Sequence, residues 1–488
     1  MNRPSTRLLG VALPALLVAC GVTAQSPEPE PPWPRLKPVA QPQHQPRVRT
    51  RPNFEAPSAT HCSRPVSMRE IPGRFGNNSQ PEELHRRRRA GDAMADGATS
   101  APSPSIAAAP LRAERREAAK SIAPSAPLPV APQAAPSQSQ QPVPGPVTAG
   151  VVDDNADFTS YLAFRNRTRV AHRPRDVRDR YLLEVKDARG RGVADAEVAV
   201  YGTSGHAMWA RTDAGGRVWL HPDAFDPSRS AQYDVRVRKL GHESGARLVR
   251  GQKSAVEVRL DAPAAQPRAR LDLVFLIDAT GSMADEIDKL KATLRTIVAE
   301  VSALPSRPDL CLGLVAYRDR GDAFLVRTHD FTDDVGGFLS GALIPLRAAG
   351  GGDYPEAMNE ALHETVHELS WRGDGATRMV VLLADAPPHL DYGAPHYDDD
   401  MLAALGKGIK VFGVGASGLD KQGEFIQRQI AQYTGGRFVF LTYADARNPS
   451  SGAGRETVHD VKNYSVDTLD RLIVRLVTDE LGKLSGPL

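Results

Sequence analysis

The stretch LDLVFLIDATGSM, residues 271–283, limits what this chain can fold into more than any other, because an unbroken apolar run stops abruptly at an acid followed by hydroxyls. Residues 273–277 show no polar alternation, the pattern of a strand buried on both faces of a parallel sheet. After Asp278 come Thr280 and Ser282 at every second position, with Gly281 between them to permit a tight turn. Residues 284–301 then carry apolar side chains at helical spacing through Ile287, Leu290, Leu294 and Ile297. A strand, an oxygen-bearing turn and a helix make half of a metal site.

The region that follows predicts the other half. Strands are expected at 273–277, 310–316, 324–328, 379–384, 409–414 and 437–440, mostly separated by helices, and a final helix places Leu469, Leu472, Ile473, Leu476, Val477 and Leu481 on one stripe. This alternation predicts an α/β fold, a Rossmann-like, doubly wound and mostly parallel sheet. Ligands of such sheets sit beyond the carboxyl ends of the strands, where strand order reverses. Two further loops offer oxygens there: GGGDYPEA puts Asp353 at the mouth of a helix, and the buried run MVVLLAD ends at Asp385. No Gly-x-Gly-x-x-Gly or Walker string follows the first strand, so no motif supports nucleotide binding.

Asp278-Ala279-Thr280-Gly281-Ser282 resembles the Asp-x-Ser-x-Ser start of the metal-ion-dependent adhesion site of von Willebrand factor type A (VWA) domains, and YRDRGD, GGGDYPEA and LLADAPPHLDY resemble a bacterial branch of that family. The resemblance covers about residues 270–484. It implies a metal site of Asp278, Thr280, Ser282, Asp353 and Asp385 with one position left open for a protein partner. Five oxygen donors and no cysteine suit a hard cation, Mg²⁺ first and then Mn²⁺ or Ca²⁺. The family's best-known form has threonine where Asp353 stands. Three carboxylates would leave a net charge of about −1 around a dication, which implies tighter metal retention and a preference for neutral or water-bridged partner groups.

Other strings compete for attention. His363-Glu364-Thr365-Val366-His367 spells the zinc-protease helix motif, but neither a Gly-x-x-His nor another third ligand follows it. Arg320-Gly321-Asp322 and Arg372-Gly373-Asp374 spell the integrin-recognition tripeptide, and both read as turns between elements. His389 and His396 flank Asp391 and read as solvent-exposed loop histidines, with a role behind the metal ligands as the alternative.

Upstream, 24 of the 40 prolines fall between residues 21 and 150, among few aromatics, so residues 20–150 are expected to be a disordered tether. Its 16 basic against 10 acidic residues leave +6, including the run Arg86, Arg87, Arg88 and Arg89. Such a tether is expected to be solvated, or to rest on a polyanion such as anionic lipid. Residues 1–19 read as an export signal. Their end, Leu17-Val18-Ala19-Cys20-Gly21, resembles the bacterial lipobox, implying lipidation of Cys20 and outer-membrane attachment; cleavage after Ala24 is the alternative. Of the remaining cysteines, Cys62 is assigned to the tether and Cys311 to a buried strand, with no disulfide expected. Residues 151–180 read as a short helical connector with acids in its first turn. Residues 181–262 show period-two strands with Gly/Asp turns, a small all-β sandwich that resembles the carboxypeptidase-regulatory or Cna-B-like spacer.

The expected function is therefore that of a cell-envelope binding module, not an enzyme, capturing a protein partner through a divalent cation, with no nucleic-acid partner. The alternatives are a zinc metallohydrolase using His363, Glu364 and His367, and a structural envelope protein whose VWA site is silent.

Overall fold

The computed structural model describes Cys62, residues 68–73, residues 147–442 apart from 206, 227, 263–268 and 374, residues 459–461 and residues 465–484. The export signal and Cys20 lie outside them. Among the described residues, no helix is long and apolar enough to cross a membrane.

In chain order the strands are β1 (Met68–Ile71), β2 (Thr148–Val152), β3 (Tyr181–Lys186), β4 (Glu197–Tyr201), β5 (Ala207–Arg211), β6 (Arg217–Leu220), β7 (Gln232–Lys239), β8 (His242–Val249) and β9 (Val256–Arg259). Then follow β10 (Arg270–Asp278), β11 (Asp309–Tyr317), β12 (Val326–Thr332), β13 (Ala376–Ala384), β14 (Ile409–Gly415), β15 (Phe438–Leu441) and β16 (Ser465–Thr468). One sheet has the order β1-β12-β11-β10-β13-β14-β15-β2-β16. Its centre is parallel, with β10 paired to β11 on one side and to β13 on the other. Strand order thus reverses at β10, the point where a doubly wound sheet opens a crevice. Strand β10 is buried from Leu271 to Asp278, because helices cover both faces. Helix Ala284–Ser302 and the final helix Leu469–Gly482 cover one face through Ile287, Leu290, Leu294, Leu472, Ile473 and Leu476. Helices Met358–His367, Tyr397–Lys407 and Lys421–Thr434 pack in the cluster that contains Val274, Leu276, Val380 and Leu382.

The expected α/β architecture is present, with three corrections. First, two strands come from the stretch read as tether: β1 pairs antiparallel with edge strand β12, and β2, which begins there, pairs with β15. Covering an edge satisfies backbone groups that would otherwise face water or another chain. Secondly, Cys62 and Cys311 form a disulfide, closing a separation of 249 residues. Pairing the neighbouring segment with β12 brings Cys62 to β11, a proximity that spacing alone does not reveal. Thirdly, the connector helix runs Phe158–Arg167 with Asp157 as its cap, so Asp153 and Asp154 precede it. Asp154 is instead buried against Arg428 at 2.6 Å.

Strands β3 to β9 form two sheets, β6-β3-β9 and β5-β4-β7-β8, whose inward residues Leu183, Val185, Val198, Val200, Val235 and Val237 share one apolar cluster. Because β2 precedes this sandwich and β10 follows it, the sandwich is an insertion between two strands of the large sheet. It is fastened by charge. Asp195 receives Arg211 at 2.7 Å from its own sandwich and Arg378 at 2.9 Å from β13, while Asp213 receives Lys410 and Lys483.

Candidate metal centre

Parallel pairing of Ile277 with Leu383 brings the ends of β10 and β13 level, so Asp278 and Asp385 emerge side by side at the switch point. Both are buried, as is Thr280, whereas Ser282 is exposed. The Thr280 amide and hydroxyl both donate to Asp278 Oδ1, at 3.0 and 2.7 Å, and the Ser282 hydroxyl lies 3.1 Å from that of Thr280. Ser282 also supports Asp385. These bonds leave Asp278 Oδ2 and Asp385 Oδ1 buried with no hydrogen-bond partner.

The glycine loop closes on this turn. The Gly281 amide donates to the Gly350 carbonyl at 2.9 Å, and the Gly351 amide donates to Asp322 Oδ2 at 2.9 Å. Gly351 has φ +70°, and a Cβ there would lie 2.7 Å from Glu356 Oε1 and 3.0 Å from Thr280 Cβ. Only glycine fits both the conformation and the gap.

Glu356 is the residue that sequence reasoning missed. It is buried, its amide bonds the Pro387 carbonyl, and its carbonyl accepts from the His389 amide, which stitches its loop to the one carrying Asp385. Its Oε2 is a further buried oxygen without a partner. Burial first, then the charges of Asp278, Asp319, Asp385 and Asp322, push its carboxyl up to about 9. Asp278 is pushed up to about 7, by burial and then by Asp385, and Asp385 is raised by burial. Tyr317, level with Asp278 on β11, is raised by burial and then by the Asp278, Asp385 and Glu356 carboxylates. Several oxygens are thus packed where their negative charge is poorly tolerated, and their unused lone pairs suit a hard cation.

Of the predicted ligands, the structure brings together Asp278, Thr280, Ser282 and Asp385. Asp353 goes elsewhere: it is exposed, and its carboxylate groups with Asp319 and His389, their donor atoms lying within 4.8 Å of one another. The short signal Asp353-Tyr354-Pro355-Glu356 contains two acids, and the backbone bonds at Glu356 decide which one turns inward.

The other strings also resolve. His389 is buried, not exposed, stacked on Tyr392 at 3.6 Å and bonded to Asp391 at 3.0 Å. Asp322 holds the glycine loop, and Arg372 is buried against Asp272 at 2.6 Å, so neither integrin-like tripeptide is presented as one. His363 and His367, one turn apart, do meet a third group: Asp400 Oδ1 lies 3.0 Å from His363 Nδ1 and 3.0 Å from His367 Nε2. Glu364 turns away to Arg69 on β1, at 3.8 Å.

Residues 272–388 match the family model described as the von Willebrand factor A domain. The chain is 29% identical over 139 residues to "Alpha-protein kinase vwkA" of Dictyostelium discoideum, covering 28% of this chain and 22% of that protein. It is 31% identical over 125 residues to "Putative ariadne-like RING finger protein R811" of Acanthamoeba polyphaga mimivirus, covering 25% of this chain and 12% of that protein. It therefore spans less than a quarter of either relative. Among solved structures, an aerotolerance-related membrane protein from Bacteroides fragilis aligns with 15% identity and a TM-score of 0.28, over 44% of this chain and all of that one.

Proposed function

We propose, for a chain whose residues 272–388 form a von Willebrand factor A domain, that it is a binding module, not an enzyme, which captures a protein partner through a divalent cation. The carrying observation is the pair Asp278 and Asp385 on adjacent strand ends, buried together with a lone pair unused on each. A dication removes the repulsion that otherwise keeps protons on these acids. Asp278, Thr280, Ser282 and Asp385 would hold it, with Glu356 supplying a third negative charge nearby. All are hard oxygen donors, which favours Mg²⁺, then Mn²⁺ or Ca²⁺. The cation supplies a positive centre to which a partner oxygen binds. Ser282, the exposed member of the set, marks the side on which that partner arrives.

The reading extends to the cell envelope, with export through residues 1–19 and an outer-membrane lipid anchor on Cys20. The disulfide between Cys62 and Cys311 supports export, since such bonds persist in oxidising compartments.

The test is thermal unfolding of the full chain in EDTA and then with Mg²⁺, Mn²⁺, Ca²⁺ or Zn²⁺, beside an Asp278→Ala/Asp385→Ala variant. The full chain is needed because β2 and Cys62, the disulfide partner of Cys311, lie upstream of the domain. A ligand that binds only the folded state raises the melting temperature. A rise with Mg²⁺ or Mn²⁺ that the variant lacks is expected; equal rises in both proteins would sink the oxygen site.

A further inference from the structure

We infer that His363, His367 and Asp400 form a second metal site, selective for a borderline dication such as Zn²⁺, which clamps helix Met358–His367 to helix Tyr397–Lys407 without hydrolytic chemistry. The two histidines are four residues apart on one helix and so share a face, their rings 4.4 Å apart. Asp400 comes from a different helix, and its Oδ1 sits 3.0 Å from one nitrogen of each ring. The three donor atoms all lie within 4.8 Å of one another. Around a tetrahedral zinc with bonds of about 2.0 to 2.2 Å, neighbouring donors are about 3.3 Å apart. Two of the three separations are thus close to the required spacing, and small side-chain rotations admit the ion.

A separate observation points to a ligand here. Asp400 is 3% exposed, and its Oδ2 is buried with no hydrogen-bond partner. Two imidazoles bonded to one oxygen leave that second oxygen idle, whereas a cation can use it as well. The histidine side chains are 33% and 25% exposed, so an ion can enter from solvent and a water can complete its shell. Nitrogen donors favour zinc over magnesium, which separates this site chemically from the oxygen site at Asp278.

The same geometry is the reason the site is inferred to lack hydrolytic chemistry. In a zinc protease the glutamate after the first histidine serves as general base. Here Glu364 is buried and faces the Arg69 guanidinium of β1. The motif keeps its two ligands and gains a carboxylate ligand, but its base is engaged elsewhere. Lys407 Nζ already bonds the Val366 carbonyl at 2.7 Å, so the two helices are joined close by, and the ion would add a second fastening.

The test uses the full chain stripped of metal, titrated with Zn²⁺ by calorimetry and with Co²⁺ as an absorbing probe. Four proteins are compared: wild type, His363→Ala/His367→Ala, Asp400→Asn and Asp278→Ala/Asp385→Ala, each checked by circular dichroism. Wild type is expected to bind one zinc equivalent at about micromolar affinity or tighter. The histidine variant loses that equivalent, Asp400→Asn weakens it at least about tenfold, and the Asp278→Ala/Asp385→Ala variant keeps it. If the alanine pair does not fold, His363→Gln/His367→Gln replaces it. Equal zinc stoichiometry in wild type and a folded histidine variant would overturn the site, as would wild-type binding weaker than about millimolar. Loss of the Mg²⁺ response leaves this result untouched, so the two sites fail separately.

Discussion

A carboxyl group buried at the end of a strand keeps its proton unless positive charge reaches it, and Asp278 illustrates the consequence. Its folded value is about 7 against an ordinary 3.8, raised by burial and then by Asp385. In EDTA the folded protein therefore holds a proton that the unfolded chain has released, and stability contributed by this group falls as pH rises from about 4 to about 7. The ceiling on that loss is about 4 kcal/mol. Cation binding must expel this proton and the one held by Glu356, whose carboxyl is pushed up to about 9, so Mg²⁺ affinity should rise steeply with pH up to about 7 and more gently from there to about 9. Denaturation series on wild type and Asp278→Asn test this, with the expectation that wild type loses more stability over that window than the variant, in which the raised Glu356 and Asp385 still titrate; parallel curves would refute it. Asp278, Thr280, Ser282 and Asp385 could be read from sequence because each follows a buried apolar run or its turn. Glu356 could not, because only backbone bonds between two loops turn it inward. Glu356→Gln is therefore expected to weaken Mg²⁺ binding about tenfold through the lost charge, while the exposed Asp353→Thr changes it less than about threefold. Calorimetric titration giving the reverse order would restore Asp353 as the third acid.

Elements reveal themselves in sequence when burial is uniform and conceal themselves when it is not. Strands β10, β13 and β14 were legible as apolar runs. Strand β12 is observed at Val326–Thr332, beyond the expected 324–328, because His329, Asp330 and Thr332 are polar yet buried. The helix bearing His363 and His367 was legible too, but its third partner was not, since Asp400 comes from another helix. The same limit hid the ion cluster that seats the sandwich. Asp195 is buried among Arg211, Arg378 and Lys239, whose charges outweigh its burial and hold its carboxyl well below the ordinary range. Replacing it removes the carboxylate shared by two buried guanidiniums, of which Arg211 keeps Glu197 at 2.9 Å, and breaking a buried pair typically costs about 3 to 5 kcal/mol. Asp195→Ala should therefore lower the unfolding free energy, read from the midpoint and slope of chemical denaturation, by that amount without changing the Mg²⁺ response at the distant strand ends. A loss within about 0.5 kcal/mol would mean the sandwich is seated by apolar packing instead.

At the scale of the whole molecule, the domains are not beads in sequence order. The large sheet takes β1 and β2 from before the sandwich and β10 onward from after it, so residues far apart in sequence stabilise one body. Composition concealed this, since the first strands sit in or beside proline-rich sequence that as a whole cannot build a core. The Cys62–Cys311 bond locks that arrangement: it joins the upstream segment to β11 across 249 residues, while β1 pairs with β12 and Arg69 reaches Glu364. A cross-link of that span restricts the unfolded chain, with a chain-entropy ceiling of about 5 kcal/mol. Reduction should accordingly lower the denaturation midpoint and expose the upstream segment to limited proteolysis while β10 and its metal response persist. Cys62→Ser should reproduce the effect in the absence of reductant and make added reductant inconsequential. If the variant matched oxidised wild type in both stability and cleavage pattern, β1 would be held by strand pairing and its arginine contacts alone.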